Sequence, residues 1–182
     1  MKKYSIIYAD TPWQQSKGGK KNVRPNSSGK ELEYKVISLD EIQKLLQSAY
    51  FLADENHNFF VWTIDKYLHE AEKMMLDMGY RLHARMVWNK VTGIPAAFTI
   101  RYGHEYLLWF YHGKLIPVAL GQRGKWHSVM TEKVTRHSKK PEIAYQFLES
   151  IYPDARKLEM FARQERVGWD VFGNEVSNSI VL

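Results

Sequence analysis

Tyr8-Ala9-Asp10-Thr11-Pro12-Trp13 decides how the chain is read. It closes a short apolar run, Ser5-Ile6-Ile7-Tyr8-Ala9, whose length and composition predict a buried strand. An acid, a proline and a tryptophan then leave the strand together. In open α/β sheets, ligands collect at the carboxyl ends of strands. An acid, a stiff turn and a large aromatic at such an end suit the capture of a flat, polar ring.

Downstream of this turn, helix and strand signals alternate. Ser38-Leu39-Asp40-Glu41 is a capping box that opens a helix with the apolar stripe Leu39, Ile42, Leu45, Leu46 and Ala49. His57-Asn58 leads into a strand at Phe59–Thr63. Asp65 is expected to cap a second helix with the stripe Leu68, Ala71, Met75 and Met78, which Gly79 ends. A methionine stripe at helical spacing reads as core. Strands are expected around His83–Trp88 and Glu105–Tyr111. Pro141 is expected in the first turn of a third helix, with Ile143, Ala144, Phe147, Leu148 and Ile151 inward. Strands at Arg156–Phe161 and Trp169–Phe172 complete the pattern, and the tail beyond Val176 carries no signal. The order predicts an α/β fold with an antiparallel strand. The 182 residues contain no internal repeat and call for one domain.

Two stretches have no apolar period, at about 14–36 and 113–140. The first holds Lys17, Lys20, Lys21, Arg24, Lys30 and Lys35 against Glu31 and Glu33. The second holds Arg123, Lys125, Arg136 and His137 among other cations, with Trp126 between them and Glu132 as its only acid. Cations with an interleaved aromatic suit a nucleic-acid backbone. Lys17, Lys20, Lys21, Arg24, Arg123, Lys125, Arg136 and His137 are therefore the candidate phosphate contacts. The formal net charge of +6 is compatible with that partner.

Other chemistries are not supported. There is no cysteine, which excludes disulfides and thiolate catalysis and makes the cytoplasm the expected compartment. The first apolar run is too short for a signal peptide, and no window approaches the roughly 18 apolar residues of a membrane span, so no membrane is expected. The seven histidines lack ligand spacing, with His104-Glu105 and His137 isolated, so no metal is expected. Neither G-x-G-x-x-G, a Walker-type loop nor a serine nucleophile elbow is present.

The turn suits adenine in particular. Its exocyclic amine carries two hydrogens, and its lone pair is spread into the ring. The Asp10 carboxylate can accept one hydrogen and the Thr11 carbonyl the other. Two such acceptors draw the nitrogen toward a tetrahedral shape and localise the lone pair for attack on an activated methyl. Pro12 restricts Thr11 to extended geometry and so aims its carbonyl. Trp13 or Tyr8 can stack on the ring. Near the end of the chain, Asn174 and Glu175 can bond ribose hydroxyls, Lys140 can meet a carboxylate, and Phe161 can flank a second adenine ring.

With these residues in place, the chain resembles the mRNA-type adenine-N6 methyltransferase family, marked by a D-P-P-W motif. That family includes methyltransferase-like-three in eukaryotes and many bacterial and phage DNA enzymes. Val87-Trp88-Asn89-Lys90 and His104-Glu105-Tyr106-Leu107-Leu108 look like its middle strands. His137-Ser138-Lys139-Lys140-Pro141 looks like its H-S-x-K-P segment, and Leu158-Glu159-Met160-Phe161-Ala162-Arg163 with Gly168-Trp169-Asp170 and Gly173-Asn174-Glu175 looks like its ending. The resemblance runs from Tyr8 to Glu175. It implies a Rossmann-like, circularly permuted methyltransferase fold over residues 1–182, mostly parallel, with S-adenosylmethionine as donor and the adenine amine as acceptor. It implies catalytic roles for Asp10, Thr11, Pro12 and Trp13, and cofactor contacts at Asp10, Lys140, Phe161, Arg163, Asn174 and Glu175. Thr11 stands where the family has its first proline. The minimal chain favours a DNA substrate by analogy. An RNA-directed enzyme and a non-catalytic nucleic-acid-binding subunit are the alternatives, and homodimer and heterodimer both stay open.

Overall fold

A computed structural model of the chain describes residues 3–13, 37–92, 94, 99–135 and 139–182. The opening run is strand β1 (Tyr4–Ala9), in the interior of the sheet, with Ile6, Ile7, Tyr8 and Ala9 all fully buried. Ile7 and Ala9 point into one layer, Ile6 and Tyr8 into the other. Continuous hydrophobicity, rather than alternation, marks a strand covered on both faces. The chain then gives α1 (Leu39–Leu52), β2 (Ala53–Thr63), a 3₁₀ turn (Asp65–Tyr67), α2 (Leu68–Asp77), β3 (Arg81–Asn89) and β4 (His104–His112). A second 3₁₀ turn (Leu120–Gln122), β5 (Val129–Thr131), α3 (Glu142–Ile151), β6 (Lys157–Met160) and β7 (Trp169–Phe172) follow.

The sheet order is β5-β3-β4-β2-β1-β6-β7. Only β4 runs against its neighbours, antiparallel to both β2 and β3, while the other four pairings are parallel. The fold is the expected Rossmann-like methyltransferase α/β sheet. Ile42, Leu46 and Ala49 of α1, with Ala71 and Met75 of α2, cover one face. Ala144, Phe147, Leu148 and Ile151 of α3 cover the other. Fully burying a side chain such as Phe147 or Leu148 contributes roughly 1.5–3 kcal/mol. β1 leads into a helix on one face, and its neighbour β6 is reached from a helix on the other. The carboxyl ends of β1 and β6 lie side by side between these layers, the usual place for a ligand crevice in such sheets.

Local signals explain the helix ends. The Ser38–Glu41 capping box forms: Ser38 Oγ accepts from the Glu41 N–H at 3.2 Å, and the Glu41 carboxylate accepts from the Ser38 N–H at 2.8 Å. Gly79, at φ +87°, ends α2. Four expectations need correction. Asp65 makes no cap bond; it starts the 3₁₀ turn, and α2 begins three residues later without a side-chain cap. Pro141 precedes α3 instead of lying in its first turn. The two carboxylate oxygens of Glu132 accept from the Glu142 and Ile143 N–H groups, each at 2.8 Å, so the cap comes from ten residues upstream. The stretch 113–140, expected to be irregular, contains β5. β2 begins at Ala53, six residues before the expected Phe59. Its polar start is stabilised by pairing and by His57, whose Nε2 sits 2.7 Å from the Tyr80 hydroxyl.

The chain end covers an edge. Ser179 N–H donates to the Val171 carbonyl at 2.8 Å, and the Val171 N–H donates to Ser179 Oγ at 3.0 Å. The tail thereby supplies partners to the outer side of β7, an otherwise open sheet edge.

Candidate active site

Asp10 leaves β1 at the crevice, its N–H directed at the Met160 carbonyl of β6. The next three residues make a tight turn. The Trp13 N–H donates to the Thr11 carbonyl at 2.9 Å, an i to i+2 bond around Pro12. Proline's fixed φ suits the centre of such a γ-turn. The turn is anchored to β2 at one point. The Trp62 carbonyl accepts from the Thr11 hydroxyl and from Trp13 Nε1, each at 2.7 Å. Thr11 is 4% exposed, so its hydroxyl bond is shielded from water. A proline at position 11 could not make this bond. Thr11 replaces a φ restraint with a buried tether.

Thr11→Val tests that tether. It removes one buried hydrogen bond at nearly constant volume, which costs about 1 kcal/mol of stability. Loosening the carbonyl's aim should lower kcat by about tenfold while cofactor affinity holds. A lower melting temperature with unchanged kcat would make Thr11 structural only.

The Asp10 carboxylate belongs to a partly buried chain of alternating charge. Lys140 Nζ lies 2.8 Å from Asp10 Oδ1 and 3.0 Å from Glu105 Oε2, and Glu105 Oε1 lies 2.6 Å from Lys90 Nζ. Lys140 also stands 5.5 Å from the centre of the Trp62 ring. Burial raises the Asp10 carboxyl above its ordinary value, against the pull of Lys140. Burial also works to raise Glu105, but Lys140 and Lys90 together bring it below the usual range. Burial disfavours charge on Lys140, yet Asp10 and Glu105 outweigh it and hold the ammonium charged. Lys140 was expected to meet a cofactor carboxylate; its present partners are these two protein acids. Trp62, Glu105 and Lys90 were not singled out as site residues. Their common signal is position, at the carboxyl ends of β2 and β3 and the amino end of antiparallel β4.

The aromatic expectations change. Tyr8 is fully buried among Trp62, Tyr145 and Trp169, because its place on β1 turns it into the α3 layer. Trp13 is 4% exposed and stacks on Tyr67 with centroids 5.4 Å apart and planes at 17°. Both rings build the wall of the turn, and neither presents an open face to a base. Trp126 likewise packs inward against Phe147, so it does not interleave with the exposed cations beside it.

The remaining candidates fall into two groups. Phe161 follows β6 with φ +62°, a conformation uncommon outside glycine and often found at functional sites. Arg163 lies 3.8 Å from Glu175, and its charge acts on Asp10. Asn174 and Glu175 are exposed just past β7. These four therefore share the carboxyl ends of β6 and β7, beside Asp10. Arg123 is elsewhere. The turn that carries it is tied through the Ala119 N–H to the Ile151 carbonyl, at the far end of α3 from Lys140. Ten helical residues separate the two ends by about 15 Å. Arg123 is thus no part of this crevice, and Lys125 is exposed on the chain returning from it. Lys17, Lys20, Lys21, Arg24, Arg136 and His137 lie outside the described residues. Among the described residues no group of three His, Cys, Asp or Glu could hold a metal ion, and no helix is long and apolar enough to cross a membrane.

Beneath the turn runs a hydrogen-bonded series. Trp62 Nε1 donates to the Tyr8 hydroxyl, Tyr8 and Tyr145 share a bond, and the Tyr145 hydroxyl donates to Glu159 Oε1 at 2.8 Å. Glu159 Oε2 has no partner among the described residues. Burial pushes the Glu159 carboxyl up to about 7 from 4.5. The folded state therefore holds this proton more tightly than the unfolded chain, and stability falls as pH rises from 4.5 to 7. Glu159→Gln removes the effect. Wild-type stability should drop relative to that variant by about 3 kcal/mol across this window, read by chemical unfolding at each pH. A constant difference would mean that Glu159 titrates normally.

With this geometry in view, comparison with known proteins places the chain. The MT-A70 family profile matches residues 4–175, so the chain belongs to the MT-A70 family of methyltransferases. It is similar to the Type II methyltransferase M.MunI of a Mycoplasma species, 26% identical over 193 residues that cover 98% of this chain and 80% of that protein. It is similar to the N(6)-adenosine-methyltransferase subunit METTL3 of Danio rerio, 27% identical over 190 residues, covering 99% of this chain and 29% of that protein. The human METTL3 catalytic subunit is 26% identical over 194 residues, again covering 99% of this chain and 29% of that protein. The chain thus spans under a third of the length of the METTL3 proteins.

Proposed function

We propose that this protein transfers a methyl group from S-adenosylmethionine to the N6 amine of adenine in DNA. The observation that carries the proposal is the pair of acceptors at the end of β1: the partly buried Asp10 carboxylate and the Thr11 carbonyl on its tethered turn. A carbonyl has two lone pairs, so the Thr11 oxygen can take an amine hydrogen beside its bond from Trp13. Asp10 keeps Oδ2 for the amine while Lys140 holds Oδ1.

The donor is a zwitterion with ribose hydroxyls, and it supplies a methyl group on a positively charged sulfur. The side chains at the ends of β6 and β7 suit it. They offer a cation in Arg163, acceptors in Glu175 and Asn174, and a partly buried ring in Phe161. Lys140, Phe161, Arg163, Asn174 and Glu175, with Asp10, would hold it. Asp10 and Thr11 orient the amine and localise its lone pair. As the nitrogen gains the methyl it must lose one proton. Asp10, made more basic by burial, is the group placed to accept it and pass it to solvent.

DNA is favoured by analogy with the Type II methyltransferase, 80% of whose length aligns with the chain. The names of the METTL3 proteins favour adenosine in RNA as the second reading. A purely non-catalytic role is disfavoured by the intact Asp10–Lys140 pair. Expression in a host without adenine methylation, followed by mapping of methyladenine in DNA and RNA, tests the proposal. Modified adenine in DNA supports it, in RNA alone supports the second reading, and in neither contradicts both.

A further inference from the structure

A line of aromatic side chains leads outward from the catalytic turn. Tyr106 of β4 pairs with Thr63 of β2 and packs against the core cluster that contains Trp13 and Tyr67. Two residues earlier, the His104 ring lies 5.0 Å from that of Tyr106, and Tyr102 lies 6.1 Å from His104. Alternate positions of a strand share a face, so His104 and Tyr106 project from one side of β4, and Tyr102 continues the line just before the strand begins. Tyr102, at the outer end, is 47% exposed. Its hydroxyl stands beside the Asp65 carboxylate, which pushes the phenol's pKa up. Cations flank the line. Lys66 Nζ bonds the Tyr67 hydroxyl at 3.0 Å, and a guanidinium nitrogen of Arg101 donates to the Ile94 carbonyl at 2.7 Å.

We propose that Tyr102, with His104 behind it, forms a stacking platform for an unpaired base next to the target adenine. An exposed aromatic held in place near cations fits a single-stranded polyanion whose bases are splayed out. A preorganised ring loses little freedom on binding. Neither Trp13 nor Tyr8 offers an open face, so the first open ring on this path is Tyr102. The platform rests on the proposed methylation of nucleic acid and specifies that the strand is locally unpaired there. It is read by ring faces, so it does not select the neighbouring base by hydrogen bonds.

The test uses the full chain and a 12-nucleotide single strand with one adenine, as DNA and as RNA, with 2-aminopurine beside the adenine. Tyr102→Leu should weaken binding of the strand about tenfold and abolish the stacking quench of 2-aminopurine. Tyr102→Trp should retain both. Cofactor affinity and melting temperature should match wild type in each variant. Wild-type binding and quench in Tyr102→Leu would overturn the platform, and so would equal losses in the Leu and Trp variants. If wild type methylates adenine while Tyr102→Leu binds normally, only the platform fails. If wild type neither binds nor methylates either strand, the functional reading fails with it.

Discussion

Asp10→Ala is expected to lose methyl transfer by at least about 10²–10³-fold, the usual cost of removing one preorganised group that acts on charge in the transition state. The amine would keep only the Thr11 carbonyl as acceptor, and the product proton would lose its nearest base. Asp10→Asn should fail nearly as badly, because its amide cannot replace the carboxylate as proton acceptor, though it preserves shape. Neither change should unfold the protein. Lys140 keeps Glu105 at 3.0 Å, so its ammonium is not left unpaired. Removing Asp10 also removes the cost of burying that carboxylate, which offsets the lost ion pair. Circular dichroism and a thermal melt, run beside the activity measurement, separate loss of chemistry from loss of fold.

Gly173→Ala should have the largest effect on stability. A Cβ at this position would stand 2.0 Å from the Ala162 carbonyl oxygen and 2.7 Å from the Ala162 nitrogen. Both are backbone atoms, so no side chain can swing clear. The Ala162 N–H donates to the Phe172 carbonyl at 2.9 Å, and this bond joins the ends of β6 and β7. Relief of the clash must push these ends apart. We expect a loss of about 3 kcal/mol, which for a chain of this length lowers the melting temperature by roughly 6–12 °C. Cofactor affinity should fall with it, because Asn174 and Glu175 follow directly. Gly121→Ala is the control: nothing lies within 4 Å of its Cβ position, and it should change stability by less than about 0.5 kcal/mol. A Gly173→Ala protein with wild-type stability and cofactor affinity would show that the two strand ends are not a rigid shelf.

What the sequence made legible was local. β1, the Ser38 capping box, the stripe of α1 from Ile42 to Ala49 (Leu39, expected inward with it, is exposed), the stripe of α3 and the Gly79 stop each depend on residues within a few positions of one another. The catalytic turn was legible for the same reason, since Asp10, Pro12 and Trp13 are adjacent. The missing parts depend on distant partners. Trp62 anchors the turn from 49–51 residues away. Glu132 caps α3 from ten positions upstream, and in the sequence it stood out only as the one acid of a basic stretch. The polar start of β2 is a strand only because β1 and β4 pair with it. Tyr8 and Trp126 looked like platforms because aromatic content says nothing of direction, and strand parity or helix packing turned both inward. Glu105 read as an isolated acid beside a histidine, but antiparallel β4 carries it to the same end of the sheet as Asp10.

The most direct measurement is mass spectrometry of nucleosides released from DNA and RNA after incubation with the purified protein and S-adenosylmethionine. The account predicts N6-methyldeoxyadenosine from DNA with wild type and none above background with Asp10→Asn. A methyl group on any atom but N6, or wild-type product from Asp10→Asn, would contradict it.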